Sequence, residues 1–297
     1  MAALGEVAWG AGSFLSMREL ADAARLDYLK LFAEERSELL GLLESLESGD
    51  WAAQTECPAW SVKGIVLHLL GDDLSILSRQ RDGEPSRVQI EAGTDWDSFF
   101  VALDRHNEQW VEATSYFSVR LVLDLLRLSG EETHRWYSTV EPDRLGEPIP
   151  WVGPDPAPYW LLCAREYLER WIHHCQIRRA VGLRDWFDER WLDPAVAVAV
   201  RGFPAGLAAL PAADAATVSI EMEHGPTWTI RKEVKGWRLY DGSPDDPTIS
   251  LTLDRPAAGL LFSRGLTKSE VIQRLRLRGD AQLSEMFAIG LSAFFGR

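Results

Sequence analysis

The chain has 297 residues, of which 46% are hydrophobic and 26% charged, and carries a formal net charge of −14. That is the composition of an ordinary globular protein, long enough for two domains. The acidic excess argues against nucleic acid or an anionic membrane surface as partner, because phosphates would be repelled.

No apolar run approaches the roughly 20 residues of a membrane helix. The N-terminal stretch MAALGEVAWGAGSFLSM lacks a basic region ahead of an apolar core, so no signal peptide is expected. The cysteines, Cys57, Cys163 and Cys175, are few and scattered, which fits neither a disulfide framework nor a zinc-thiolate pattern. A cytoplasmic enzyme or small-molecule binding protein is the expectation. Tryptophan is abundant, at 13 residues, which suits core positions and the aromatic walls of a pocket.

In chain order, Ser16 followed by Glu19 has the spacing of a capping box. Leu20, Ala23, Ala24, Tyr28, Leu31, Phe32 and Leu39 then recur at helical spacing, predicting a long first helix to about Ser48. Asp27 and Glu35 interrupt its apolar stripe. Ser61 caps a second predicted helix, SVKGIVLHLLGDDLSILSRQ, which stops before Asp82-Gly83 and a loop rich in Gly, Pro and Glu. WDSFFVALDRHNEQWVEA and SVRLVLDLLRLSGEETHRWYSTV are the third and fourth helical stretches. EPDRLGEPIPWVGPDPAP holds six prolines and cannot be helical throughout. YWLLCAREYLERWIHHCQIRRAV then reads as a strong helix ended by Gly182. A four-helix bundle with an accessory helix is the economical arrangement, occupying residues 1–190.

An Ala- and Pro-rich run from Asp193 to Ala213 bridges to a region of different character. TVSIEMEH, TWTIRKEV, GWRLYDG and TISLTLD alternate like half-buried strands, punctuated at Gly225-Pro226 and Lys235-Gly236. PAAGLLFSRG reads as a helix, VIQRLRLRGD as a strand or mixed stretch, and AQLSEMFAIGLSAFF as a closing helix. Strands followed by helices give an α+β domain, and with a connecting helix it takes residues 191–297. The fold class is therefore α+β with two domains.

The chemistry concentrates in EYLERWIHHCQIRRAVG. Residues four apart on a helix share a face, so Glu169 and His173 can converge on one cation. His174 lies about 100° further round and faces elsewhere. Glu166 is two turns from His173, about 10 Å along the axis, within reach of an outer role only. A third ligand must come from a neighbouring helix, and His68 is the candidate, set among Ile65, Val66, Leu67, Leu69 and Leu70. An imidazole in such a core has to be hydrogen-bonded or metallated. Two His and one Glu around an open position suit a divalent ion such as Zn²⁺. A core histidine bonded to a carbonyl and an exposed Glu-x-x-x-His pair are the plainer alternatives, and composition alone favours them. Asp72 and Asp73 read as a solvated turn or as partners of His68, Cys57 as a small buried residue with a reactive thiol as the alternative, and Cys175 as turned away from the pair.

CPAWSVKGIVLHLLGDD resembles the segment around the first metal histidine of the DinB-like four-helix family. EYLERWIHHCQIRRAVG resembles that family's second element, with its Glu-x-Trp-(Val/Ile)-His core. Within that family the resemblance is to actinobacterial proteins similar to mycothiol-dependent maleylpyruvate isomerase. The C-terminal half, including RLRLRGD before the last helix, resembles the sterol-carrier-like domain often fused to such bundles. The resemblance implies one divalent metal, Zn²⁺ with Ni²⁺ or Fe²⁺ as alternatives, held by His68, Glu169 and His173. It also implies a low-molecular-weight thiol such as mycothiol bound as thiolate, and a catalytic arginine from the C-terminal domain. Arg231, Arg238, Arg264 and Arg276 are available for that role.

The expected function is isomerisation or group transfer on a small, electrophilic, anionic metabolite. The alternatives are a binding protein for an apolar small molecule with a structural or vestigial metal site, and a metal-hydroxide hydrolase.

Overall fold

A computed structural model describes residues 18–19, 27–85 and 96–297. The first described element is a two-residue strand, β1 (Arg18–Glu19), and the first helix, α1, runs Tyr28–Ser45. The long helix predicted from Ser16 is thus shorter than expected. Asp27, read as an interruption, is its N-cap and accepts a hydrogen bond from Lys30 N at 3.0 Å. Upstream, the backbone of Arg18 and Glu19 pairs antiparallel with Asp241 and Tyr240 instead of continuing a helix. Ser16, Leu20, Ala23 and Ala24 lie outside the described residues.

The other bundle helices follow the periodicity. Ser61 caps α2 (Val62–Ile76), its side chain accepting from Gly64 N, and a π-helical turn, Leu77–Arg81, ends that segment. The helices α3 (Trp96–Thr114), α4 (Val119–Thr139) and α5 (Tyr159–Ala180) complete the set. The proline-rich segment between α4 and α5 makes a small antiparallel pair, β2 (Leu145–Pro148) and β3 (Pro156–Pro158). Gly182 ends α5 with φ +71°, a left-handed conformation that costs glycine least. The Leu183 N–H returns to the Arg178 carbonyl at 2.8 Å. Helix α1 packs on α4 and α5, α2 on α4 and α5, and α3 lies against α2 as the accessory helix.

The segment read as a bridge is itself structured. Helix α6 (Glu189–Ala199) begins before it and carries Pro194, a 3₁₀ turn (Val200–Gly202) follows, and α7 (Phe203–Gly206) closes it. Leu192, Ala195, Val196 and Val198 are wholly buried, and α6 packs on α5. The strands β4 (Thr217–Met222), β5 (Thr227–Glu233), β6 (Gly236–Asp241) and β7 (Ile249–Leu253) form where alternation placed them. Helix α8 (Arg255–Phe262) follows, then α9 (Lys268–Arg274), β8 (Arg276–Gly279) and α10 (Ala281–Phe295), so VIQRLRLRGD divides between a helix end and a strand.

The sheet order is β1-β6-β5-β4-β7-β8. Strands β4 and β7 are parallel, Val218 opposite Ile249 and Met222 opposite Leu253, and the other pairings are antiparallel. The chain is thus a two-domain α+β protein. One apolar core runs from Phe32 and Trp171 in the bundle through α6 to Ile220, Leu251 and Phe287. That continuous packing fixes the end of α8 against α5. No described helix is long and apolar enough to cross a membrane.

Candidate metal centre

Helix α2 carries His68 at a position where almost every neighbour is buried, and α5 carries Glu169 and His173 one turn apart. The structure brings all three together. Glu169 Oε1 lies 3.0 Å from His68 Nε2 and 3.2 Å from His173 Nε2. The three ligand atoms fall within 4.8 Å of one another, and the imidazole rings meet edge to face at 4.9 Å. Both histidines are buried, whereas Glu169 is partly exposed and forms the open side of the site. Trp60, just before the Ser61 cap, stacks on His68 at 4.9 Å and lies 6.3 Å from the His173 ring.

The electrostatics favour a cation. Burial raises the Glu169 carboxyl, but its bonds to His173 and His68 outweigh that and hold it well below the usual carboxylate range. Burial depresses His68, yet Asp72 and Glu169 together overcome it and shift it upward. Asp72 Oδ2, 3.7 Å from His68 Nε2, is buried with no hydrogen-bond partner. Two imidazoles, one carboxylate and a second, unsatisfied carboxylate oxygen nearby are a donor set of the kind that holds Zn²⁺.

Several neighbours differ from the sequence reading. Asp72 and Asp73 are inside α2 rather than in a solvated turn. Asp73 is wholly buried, taking hydrogen bonds from Arg36 Nη1 at 3.0 and 3.2 Å, from Ser129 Oγ at 2.9 Å, and from Arg170. Glu166 does not reach the histidines; it is ion-paired with Arg165 and with Arg170 Nη1 at 2.9 Å. His174 faces away from Glu169, as the helical phase requires, and Cys175 is buried in the core. Cys57 is partly buried, with its sulfur 3.4 Å from Gln176 Oε1, and burial pushes its thiol up to about 11. Sequence reasoning passed over Gln176, although its position three residues after His173 puts it on the same helical face.

Of the four C-terminal arginines, Arg264 is the one whose charge reaches this end of the bundle. It sits between α8 and α9 with φ +54°, its guanidinium 4.7 Å from the Phe100 ring of α3. Burial raises both Cys57 and Asp104, and the Arg264 charge partly opposes that rise in each; both groups also feel Glu169. Arg231 and Arg238 instead line a separate cavity of about 680 Å³ with Asp214 and Lys235, and Arg276 is exposed on β8.

Residues 32–178 match the family model described as the mycothiol maleylpyruvate isomerase N-terminal domain. The helical bundle belongs to that family. All three converging residues lie inside the matched mycothiol maleylpyruvate isomerase N-terminal domain. The chain also resembles the crystal structure of a point mutant of the mycothiol-dependent maleylpyruvate isomerase, with a TM-score of 0.53 and 10% identity. That likeness covers 83% of this chain and 91% of the other. A second crystal structure of the mycothiol-dependent maleylpyruvate isomerase gives a TM-score of 0.49 and 11% identity over the same shares. At such identity the first likeness establishes a shared fold that extends beyond the N-terminal domain. No curated protein shows a significant sequence match.

Proposed function

We propose that the protein is a metal-dependent isomerase or transferase that uses a low-molecular-weight thiol, mycothiol or a close equivalent, on a small anionic electrophile. The observation that carries this reading is the convergence of His68, Glu169 and His173 at the mouth of a bundle belonging to the mycothiol maleylpyruvate isomerase N-terminal family. These three residues would hold one divalent ion, with Zn²⁺ preferred by the nitrogen and oxygen donors. When bound, such an ion lowers the pKa of a coordinated thiol enough to keep it as thiolate.

The chain's own residues supply the rest. Trp60 closes one side of the His pair to water, leaving the Glu169 side for entry. Arg165, one turn before Glu169, and Arg264, from the C-terminal domain, place positive charge around that opening. Arg165 is paired with Glu166 and also feels Asp72 and Glu169, whereas Arg264 acts on Cys57 and Asp104. In a chain of net charge −14, Arg264 is then the guanidinium that would meet an anionic substrate and orient its carboxylate. We assign to Arg264 the part of the C-terminal arginine. The proposal includes a domain division near residue 190 and a sterol-carrier-like character for the C-terminal domain.

Cobalt substitution tests the reading. Mycothiol added to the Co²⁺ protein should produce a near-ultraviolet sulfur-to-metal charge-transfer band that is absent from His68→Ala, with glutathione as the comparison thiol. Mycothiol-dependent isomerisation of a cis-unsaturated keto-dicarboxylate such as maleylpyruvate should require the same residues and weaken in Arg264→Ala. A metal spectrum indifferent to every physiological thiol at millimolar concentration would remove the basis for thiol chemistry and favour metal-assisted hydrolysis.

A further inference from the structure

Gln176 is buried on α5 and is hydrogen-bonded at both ends of its carboxamide. Its Oε1 lies 2.8 Å from His173 Nδ1 and accepts the Cys57 S–H at 3.4 Å. Its Nε2 donates to the Ser263 carbonyl at 3.4 Å. Ser263 belongs to the C-terminal domain, caps the end of α8, and is wholly buried.

These partners determine which way the amide points. A backbone carbonyl only accepts, so turning the amide over would aim oxygen at oxygen. Oε1 therefore faces His173, and the ring nitrogen opposite it must be the one that carries hydrogen. With the proton on Nδ1, the lone pair of His173 sits on Nε2, the atom that shares Glu169 Oε1 with His68. The Ser263 carbonyl is itself anchored. Arg179, about one turn beyond Gln176, donates to Ser263 Oγ at 3.1 Å and to its carbonyl at 3.4 Å. The same guanidinium grips Glu56 at 2.7 and 2.6 Å, next to Cys57.

We infer that Gln176 is a positioning residue through which the C-terminal domain sets the ligand atom of a bundle histidine. The Ser263 carbonyl orients the amide, the amide places the proton of His173 on Nδ1, and Nε2 is left to bind. The inference rests on the proposed reading of His68, Glu169 and His173 as a metal site. It extends that reading by making the site's affinity depend on how α8 docks against α5.

The test is Zn²⁺ affinity, measured by competition with a chromophoric chelator, for the wild type, Gln176→Leu and Gln176→Glu, with circular dichroism and melting curves confirming folding. Leucine fills similar space but accepts nothing, so Kd should rise about 10- to 100-fold. Glutamate still accepts from Nδ1–H but sets its second oxygen against the Ser263 carbonyl, so its Kd should lie between those of the wild type and Gln176→Leu. Nitrogen-15 NMR of the zinc-loaded wild type should show His173 protonated at Nδ1. Equal affinity in Gln176→Leu and the wild type would overturn the inference alone. So would equal losses in both variants, which would assign the effect to packing, and so would a His173 protonated at Nε2. A wild type that takes up no zinc would overturn the metal reading and this inference together.

Discussion

His174 Nδ1 lies 3.0 Å from Glu35 Oε1, with both side chains sealed from solvent. Its sequence neighbour His173 faces the opposite group of acids, 3.2 Å from Glu169. The two adjacent histidines thus belong to different environments, one at the open mouth of the bundle and one in a joint between α1 and α5, against the Trp186 ring at 4.1 Å.

Substitutions should separate these roles. His173→Ala or Glu169→Ala should abolish tight uptake of about one divalent ion per chain, measured by elemental analysis. His174→Ala should keep that stoichiometry, but it strands Glu35 and should lower unfolding stability by about 3 kcal/mol in urea titrations. Equal loss of metal in all three variants would show that the helical phase assigned to the site is wrong.

Cys57 should behave as a poor nucleophile despite its place beside the proposed metal centre. Burial pushes its thiol up to about 11, more than the Arg264 charge lowers it. The thiolate is the reactive form. Alkylation by iodoacetamide should therefore be slow at pH 8 and accelerate only as pH approaches 11. Mass spectrometry of the labelled peptide reads this directly, and rapid labelling of Cys57 near neutral pH would contradict it.

Gly130→Ala should be among the most damaging single-methyl changes in the bundle. A Cβ there would sit 1.6 Å from Arg36 Nη2, on the guanidinium that donates to the Leu126 carbonyl at 2.7 Å. Displacing that group also breaks its pairing with Asp73, so a loss of at least about 3 kcal/mol is expected. A denaturation midpoint unchanged from the wild type would show that Arg36 has an alternative seat.

Asp73→Asn should cost about 3–5 kcal/mol, because in a dry joint Arg36 would lose its paired carboxylate and Arg170 would keep only Glu166. Replacing Arg36, Asp73 and Arg170 together by apolar residues of similar volume should cost much less than the three single losses added. Additive losses would mean that each residue acts on its own.

Much of this was legible in the sequence. Helical phase alone puts Glu169 with His173 and turns His174 away, and resemblance adds His68 from a segment about a hundred residues earlier. Alternation of Val218, Ile220 and Met222 gives the strand they form. The failures share a cause. Asp73 reads as surface because a carboxylate seldom survives in a core. It does so here through Arg36 and Arg170, which lie far from it in the chain and which no local pattern connects. Glu35 looks like a flaw in an apolar stripe until His174 is placed opposite it. Gln176 carries no signal of its own, since its partner on α8 is a backbone carbonyl, and any residue type would supply one.

The shared carboxylate of Asp73 has a consequence on the timescale of divergence rather than of folding. Arg36, Asp73, Arg170 and the small residue at Gly130 sit on four helices, α1, α2, α5 and α4, and none can be exchanged alone without stranding a charge or colliding with one. Such positions are expected to drift as a bloc, retained together or traded together. Were His68, Glu169 and His173 lost from a descendant, that bloc would remain as a mark of common descent, readable as four covarying columns.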